Sequence, residues 1–385
     1  MSSDIDVVKE AVEDFFKDMT RVLKFGEVQT CENMAAVPLI LQDRGLDFIT
    51  IREAERLEVA WIQEQVSESV GQLEAVNVGE KPVLIPFLQT VKGGKQDRTV
   101  YEPILIPAEC KESNPLPIPA RCIEASRWTY AAQLDGGRIQ FDGGKETRKF
   151  KTSGIRMNQS VSKRLMEAGG DQSMLWDSVE AYSELMSIER SKAPTRSYLD
   201  MIETKQEEID EYLAKFKDVE GQCGTAVLVG GEVIGYEFYG NSKAWKDFRQ
   251  DVLKGYVTEA LLRRQIKKEK EKEGQEKKEE KISTSEAHRK ALETLTEKIS
   301  KIEPREGTGL GYVVEFSSSD GNWQGITLIH ENKIIHFYAV GKSSLEKIKP
   351  KKVLETAEVQ RILTPEEISL DPQLSQRQQQ LIEQE

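Results

Sequence analysis

Three short polar segments carry the residue types that chemistry needs. The first is Cys122-Ile-Glu-Ala-Ser-Arg-Trp128. Its glutamate is a possible general base or hydroxyl partner, and its arginine offers a planar fork to phosphate or carboxylate. Trp128 adds a face on which a ring can stack. The second is the glycine-rich turn Gly93-Gly-Lys-Gln-Asp-Arg98, which gathers the cation Lys95, the amide Gln96 and the guanidinium Arg98. The third is Gly170-Asp-Gln-Ser-Met-Leu-Trp176. Here Asp171 or Gln172 suits a helix cap, which would turn Trp176 to a buried face. A structural reading stands beside each functional one: a Glu–Arg pair with a core tryptophan in the first segment, and helix packing in the third.

Other routes to catalysis find little support. The chain has no G-x-G-x-x-G after a strand, no P-loop, no G-x-S-x-G and no H-E-x-x-H. Gly307-Thr-Gly-Leu-Gly311 has the look of a phosphate loop but precedes a strand pattern, so no helix N-terminus awaits an anion. The chain holds 3 histidines. His288 falls in a charged helical segment, while His330 and His336 flank one turn without an acidic or cysteine ligand at metal spacing. No metal site is expected, and no cofactor is assigned. Cys122 would share a strand face with Glu124, yet a cysteine flanked by apolar residues reads as packing before it reads as a thiolate.

Composition narrows the classes further. The chain has 385 residues and a net charge of −12, from 54 basic and 66 acidic side chains. An acidic balance disfavours nucleic acid. No apolar run reaches the roughly 18 residues that span a bilayer, and Met1-Ser-Ser-Asp-Ile-Asp lacks the marks of a signal peptide. The 4 scattered cysteines suit a reducing compartment. The expectation is a cytoplasmic protein that binds neither nucleic acid nor membrane.

The elements that must position these residues follow from periodicity. Val8, Val12, Phe15, Met19 and Val22 predict an N-terminal helix within 1–28. A β-rich stretch follows. In it, Val37–Leu41 and Leu46–Ile51 read as a hairpin closed by 42–45, and Leu73–Val78, Pro82–Pro86 and Val100–Ile106 read as strands. Residues 133–154 read as a hairpin or mobile loop. Helical pattern returns over 160–190 and 196–217. Gly224–Gly240 and Gly325–Gly341 are alike in spacing and turn placement, and read as two hairpins of one type. A helix over 243–266 runs into Lys267–Lys281, where 13 of 15 residues are Lys or Glu. That run suits a solvated helix or disorder, with a helical return at 284–303. The fold class is α+β, mainly antiparallel sheet and hairpins with packed helices. Its α+β domain spans 29–262 and 304–342. A Lys/Glu-rich helical insertion fills 263–303, and a partly disordered extension covers 343–385.

In order along the chain, these blocks resemble the ARG and rhodanese-phosphatase-superfamily-associated protein domain family. The matching blocks are Asn77–Leu84, Gly94-Lys-Gln-Asp-Arg98, Ile118–Glu124 with Arg127-Trp128, Gly170-Asp-Gln172 with Trp176, and the two late hairpins. Where the family's pattern has Asp-Gly-Glu before the Gly-x-Lys-Gln turn, this chain has Phe87-Leu-Gln-Thr90. The resemblance implies a role near NAD or ADP-ribose chemistry. With the residue types, it yields one expected site for a phosphorylated nucleotide-type ligand. Lys95, Gln96, Arg98, Arg127, Trp128 and Gln172 would bind, and Glu124 would act as general base or ribose-hydroxyl partner. The alternative is a scaffold that docks a partner protein through 263–303.

Overall fold

The computed structural model describes residues 2–41, 46–65, 71–93, 96–124, 149–189, 191–193, 196–272, 283–296 and 299–345. The chain begins with helix α1 (Ser2–Lys17) and strands β1 (Leu23–Phe25), β2 (Gln29–Cys31) and β3 (Met34–Leu41). Strand β4 (Ile49–Thr50) and helix α2 (Ile51–Arg56) lead into β5 (Ala60–Gln63), β6 (Gln72–Asn77), β7 (Val83–Ile85) and β8 (Gln89–Gly93). Next come β9 (Arg98–Val100), β10 (Ile104–Ile106), β11 (Leu116–Cys122) and β12 (Lys149–Arg156). Four helices follow: α3 (Gln159–Glu167), α4 (Gln172–Leu185), α5 (Tyr198–Glu203) and α6 (Gln206–Leu213). Strands β13 (Gln222–Val229) and β14 (Glu232–Tyr239) precede α7 (Ser242–Lys272) and α8 (Thr284–Thr296). The last strands are β15 (Ile299–Glu306), β16 (Tyr312–Ser318), β17 (Gln324–His330) and β18 (Lys333–Val340). The fold is α+β, and among the described residues its strand pairs are antiparallel except for β4 with β7.

A nine-stranded sheet runs β1-β3-β13-β14-β18-β17-β16-β15, with β2 on β3. The two look-alike hairpins lie side by side at its centre, where β14 pairs β18. Each turns on two residues of positive φ, Gly230-Gly231 in one and Glu331-Asn332 in the other, as a tight two-residue hairpin demands. Each slips register at the corresponding step, Val227/Leu228 and Leu328/Ile329. One face of the sheet buries Phe238, Phe316 and Phe337 against Phe15 and Phe16 of α1 and Ala287 and Ala291 of α8. Helix α7 packs on β13 and β14 and also on β12.

Strand β12 belongs to a second unit of architecture, a closed barrel ordered β11-β6-β5-β12-β8-β9. A small sheet, β10-β7-β4, completes the fold. An ionic centre joins barrel to sheet. Arg156 of β12 pairs with Glu237 of β14, which also accepts from Tyr239 Oη at 2.6 Å and faces His336 Nε2 at 3.2 Å. All four side chains are buried. Nearby, Asp251 of α7 meets Arg52 of α2 at 2.7 Å. Burial pushes the Asp251 carboxyl up to about 6 against the pull of Arg52 and Arg156.

Several expectations are corrected. Residues 37–51 form no hairpin. β3 joins the large sheet, while β4 pairs in parallel with β7 in the small one, and 42–45 lie outside the described residues. Val100–Ile106 divides into β9 and β10, which serve different sheets. The helical stretch 160–190 breaks at Gly169-Gly170, both at positive φ. A Cβ on Gly170 would lie 2.5 Å from the Tyr101 ring. The stretch 196–217 divides into α5 and α6. The expected helix over 284–303 is present as α8 to Thr296 and packs into the main core, but 299–306 is the edge strand β15. At the N-terminus the helix ends at Lys17, and residues 23–25 are already strand. Of the extension after 343, Ser343 and Leu345 are buried. The remainder of 133–154 before Lys149, most of the Lys/Glu run, and the tail beyond 345 lie outside the described residues.

The ionic centre generates a pH prediction. Burial alone would raise the Glu237 carboxyl, but Arg156 and His336 outweigh it and hold it below its ordinary value. Its stabilising contribution is therefore present above the unfolded carboxylate value of about 4.3 and is lost as pH falls through the folded one. Glu237→Gln strands the Arg156 charge and is expected to cost about 3–5 kcal/mol near pH 7. Denaturant unfolding of both proteins across pH 7 to 3 should show that gap narrowing below about pH 4. A constant gap would mean that the carboxylate charge is not what binds the centre.

Candidate functional site at the barrel mouth

Alternation along β11 sends Ile118, Ala120 and Cys122 to one buried face. Their register partners are Leu73, Val100 and Arg98. Ile62 of β5 joins the same interior through its partners Ala75 and Phe150. This apolar lining turns polar where β11 ends and β9 begins. Arg98 and Cys122 face inward there, and Glu64, two residues past Ile62, follows the same parity. Arg121 points the other way, to the Gly170 carbonyl, with its guanidinium 5.0 Å from the Tyr101 ring centroid.

The inward groups at this mouth are knitted together. Arg98 Nη1 donates to Cys122 Sγ, and Cys122 Sγ donates to Gln96 Oε1 at 2.8 Å. Gln96 Nε2 donates to the Glu124 carbonyl at 3.2 Å, and the Asp97 amide donates to Glu124 Oε2 at 3.1 Å. Ser197 Oγ donates to Asp97 Oδ2 at 2.7 Å. Gln96, Asp97, Arg98, Cys122 and Glu124 are all buried. Residues 96–98 are thus the inner wall of the mouth and not an open turn.

Gln172 takes a different part from the one its type suggested. It sits at the first turn of α4, and Asp171 caps that helix by accepting from Met174 N at 2.9 Å. The Gln172 amide donates to the Cys122 carbonyl and accepts from the Cys122 N–H, each at 2.8 Å. It pairs with the strand end as a neighbouring backbone would, and so positions Cys122. Lys95, Arg127 and Trp128 lie outside the described residues. Lys95 directly precedes Gln96, and Arg127 comes three residues after Glu124.

Burial pushes the Cys122 thiol up to about 11. Arg98 pulls it down, while Glu64 and Glu124 push it further up. At neutral pH this sulfur is a thiol donor, which suits a binding wall better than a covalent nucleophile. Sequence reasoning missed Glu64, Asp97 and Ser197. The strand pattern of 60–64 was the available signal for Glu64. Ser197 is brought in by a bridge between Glu124 and the residue preceding α5.

The other candidates resolve simply. His336 belongs to the ionic centre, and His288 Nε2 meets the Gly26 carbonyl at 2.6 Å. His330 lies at a hairpin turn, 4.0 Å from Glu331. Among the described residues no group of three or more His, Cys, Asp or Glu could hold a metal ion. In the loop 307–311, Gly307 N, Thr308 N and Leu310 N already donate to Gly311 O, Glu102 Oε1 and Leu105 O. Those donors serve the fold. Among the described residues no helix is long and apolar enough to cross a membrane.

With barrel, sheet and mouth in place, the class is an α+β protein with a polar barrel mouth. The chain belongs to the ARG and Rhodanese-Phosphatase-superfamily-associated Protein domain family, whose model matches residues 22–340. The match runs from the start of β1 to the end of β18 and takes in the Lys/Glu run. Comparison with curated proteins gave no match, and neither did comparison with solved structures.

The burial of the mouth sets an order of cysteine reactivity. Cys31 and Cys110 are half-buried, whereas Cys122 and Cys223 are buried with thiols pushed up to about 11 and 12. Iodoacetamide followed by mass spectrometry at pH 8 should label Cys31 and Cys110 first. Cys122 and Cys223 should react only on unfolding. Labelling of native Cys122 as fast as Cys110 would mean that its thiol is not held within the buried wall.

Proposed function

We propose that the barrel mouth binds a small phosphorylated, nucleotide-type ligand, and that the protein serves NAD- or ADP-ribose-linked chemistry in the cytoplasm. The observation that carries this reading is convergence. Segments 96–98 and 122–124, distant in sequence, meet at one barrel end with Glu64. The stretches holding Lys95, Arg127 and Trp128 are joined directly to them. Buried charge at the mouth of a barrel is costly for stability and is commonly retained for a ligand. In this reading Arg98, Arg127 and Lys95 meet phosphate, Trp128 stacks on a ring, and Gln96 takes a polar edge. Glu124 receives a ribose hydroxyl or removes its proton, while Gln172 holds the strand end in register. The free cysteines agree with a reducing compartment.

A second reading has its own support. The mutual hydrogen bonds of Gln96, Cys122, Glu124 and Gln172 make an effective plug for a barrel end. On that view the protein is a non-catalytic scaffold, and partner contacts through the Lys/Glu-rich part of 263–303, before α8, carry its function.

Thermal unfolding with millimolar ADP-ribose, NAD or nicotinamide separates the two. A ligand at 100 times its Kd adds about 2.7 kcal/mol. The binding reading expects a shift in the wild type that is lost in Arg127→Ala and reduced in Glu124→Gln. The plug reading expects no shift with any of the three, together with a destabilised Glu124→Gln.

A further inference from the structure

We infer that the joint between barrel, sheet and helix α7 binds one water molecule as a structural ligand. A small cavity lies where Arg156 of β12, Glu237 of β14 and Tyr256 of α7 meet, with Leu88, Val252 and Tyr338 around it. All six side chains are buried. Two polar atoms of this lining, Arg156 Nη1 and Tyr256 Oη, have no hydrogen-bond partner among the described residues. A buried donor left unmet carries its full desolvation cost, so two of them around one cavity call for a shared acceptor.

The sequence makes room for this meeting. Glycine is unfavourable inside a helix, yet α7 carries Gly255 where a Cβ would lie 3.0 Å from the Met157 carbonyl oxygen and 3.2 Å from Arg156 Cβ. That glycine lets the helix close on β12 and sets Tyr256 beside the arginine. On β14, a Cβ at Gly235 would lie 2.6 Å from the Tyr256 hydroxyl. Two glycines thus deliver the hydroxyl to a buried strand face.

Size and charge select the ligand. The cavity offers about 10 Å³ to the centre of a water-sized molecule. That is enough for one water and too little for an organic ligand or an oxyanion. Arg156 Nη2, Tyr239 Oη and His336 Nε2 all meet Glu237 through Oε1, so Oε2 is the carboxylate atom left to accept. The carboxylate repels a halide, and the guanidinium repels a metal cation. A water accepts from Arg156 and Tyr256 and donates to Glu237, which answers both kinds of group. One solvent molecule then links a barrel strand, a sheet strand and the helix that packs on both.

The test uses the full chain, with a crystal structure grown in bromide beside oxygen-17 relaxation dispersion, which counts long-lived internal waters. One ordered water within about 3.2 Å of both Arg156 Nη1 and Tyr256 Oη is expected, with no bromide peak. The count of long-lived waters should fall by one in Val252→Ile, whose added methyl takes the space. Tyr256→Phe removes one hydrogen bond and should release the water roughly fivefold faster. Thermal unfolding checks both variants, and Tyr256→Phe carries the test if Val252→Ile does not fold. A bromide ion in the cavity would overturn the inference. So would a direct bond from Tyr256 Oη to a protein acceptor with no water beside it, or an unchanged water count and exchange rate in the variants.

Discussion

An arginine buried in a protein interior must be answered by a charge, and the architecture turns on where that answer comes from. Arg156 is the last residue of a barrel strand, and its carboxylate partner Glu237 lies in the middle of a different sheet. Hydrophobic burial can dock two sheets in many registers, because it has no direction. An ion pair with Tyr239 and His336 at fixed distances leaves few. Helix α7 then packs on both units and brings Asp251 to the same centre. A buried pair adds little net stability over apolar packing. What it supplies here is a single way for barrel and sheet to meet.

The barrel mouth follows from the same economics at the opposite end of the strands. Leu73, Val100, Ile118 and Ala120 fill the barrel as any small barrel is filled. Were stability the whole purpose, the next interior layer would be apolar too. It carries Arg98, Cys122, Gln96 and Glu124 instead. Glu64 and Glu124 both push the Cys122 thiol upward while Arg98 pulls it down.

Legibility in the sequence tracked how local each decision was. The two central hairpins could be read because strand pattern, turn and glycine spacing all lie within one short segment. The helix α1 was readable from its apolar steps, since one face meets one core. The false hairpin at 37–51 shows the limit: alternation says strand but not which sheet, and β4 left for a partner more than thirty residues away. The helical pattern expected over 284–303 ends at Thr296, and Ile299 and Ile302, three apart, both pack on the core from β15. A register shift between Ile299 and Lys301 gives a strand that same spacing. The site was visible as residue types at 96–98, 122–124 and 172. Its inward direction was not, because that depends on the parity of a closed barrel. Gln172 looked like a ligand group, and only the strand end beside it shows that it completes a ladder.

The open edges decide which surfaces remain for function. A barrel has none. The large sheet ends on one side at β15, where Lys301, Glu303, Pro304 and Arg305 blunt it with charge and a missing donor. The small sheet ends at β10, and the loop 307–311 closes that edge. Leu310 N donates to Leu105 O, and a Cβ on Gly309 would lie 2.2 Å from the same oxygen. A glycine run that resembles a phosphate loop is therefore explained by the approach of one backbone to another. The amides of Gly307, Thr308 and Leu310 are likewise committed to the fold, so this edge is closed by backbone and not by a ligand.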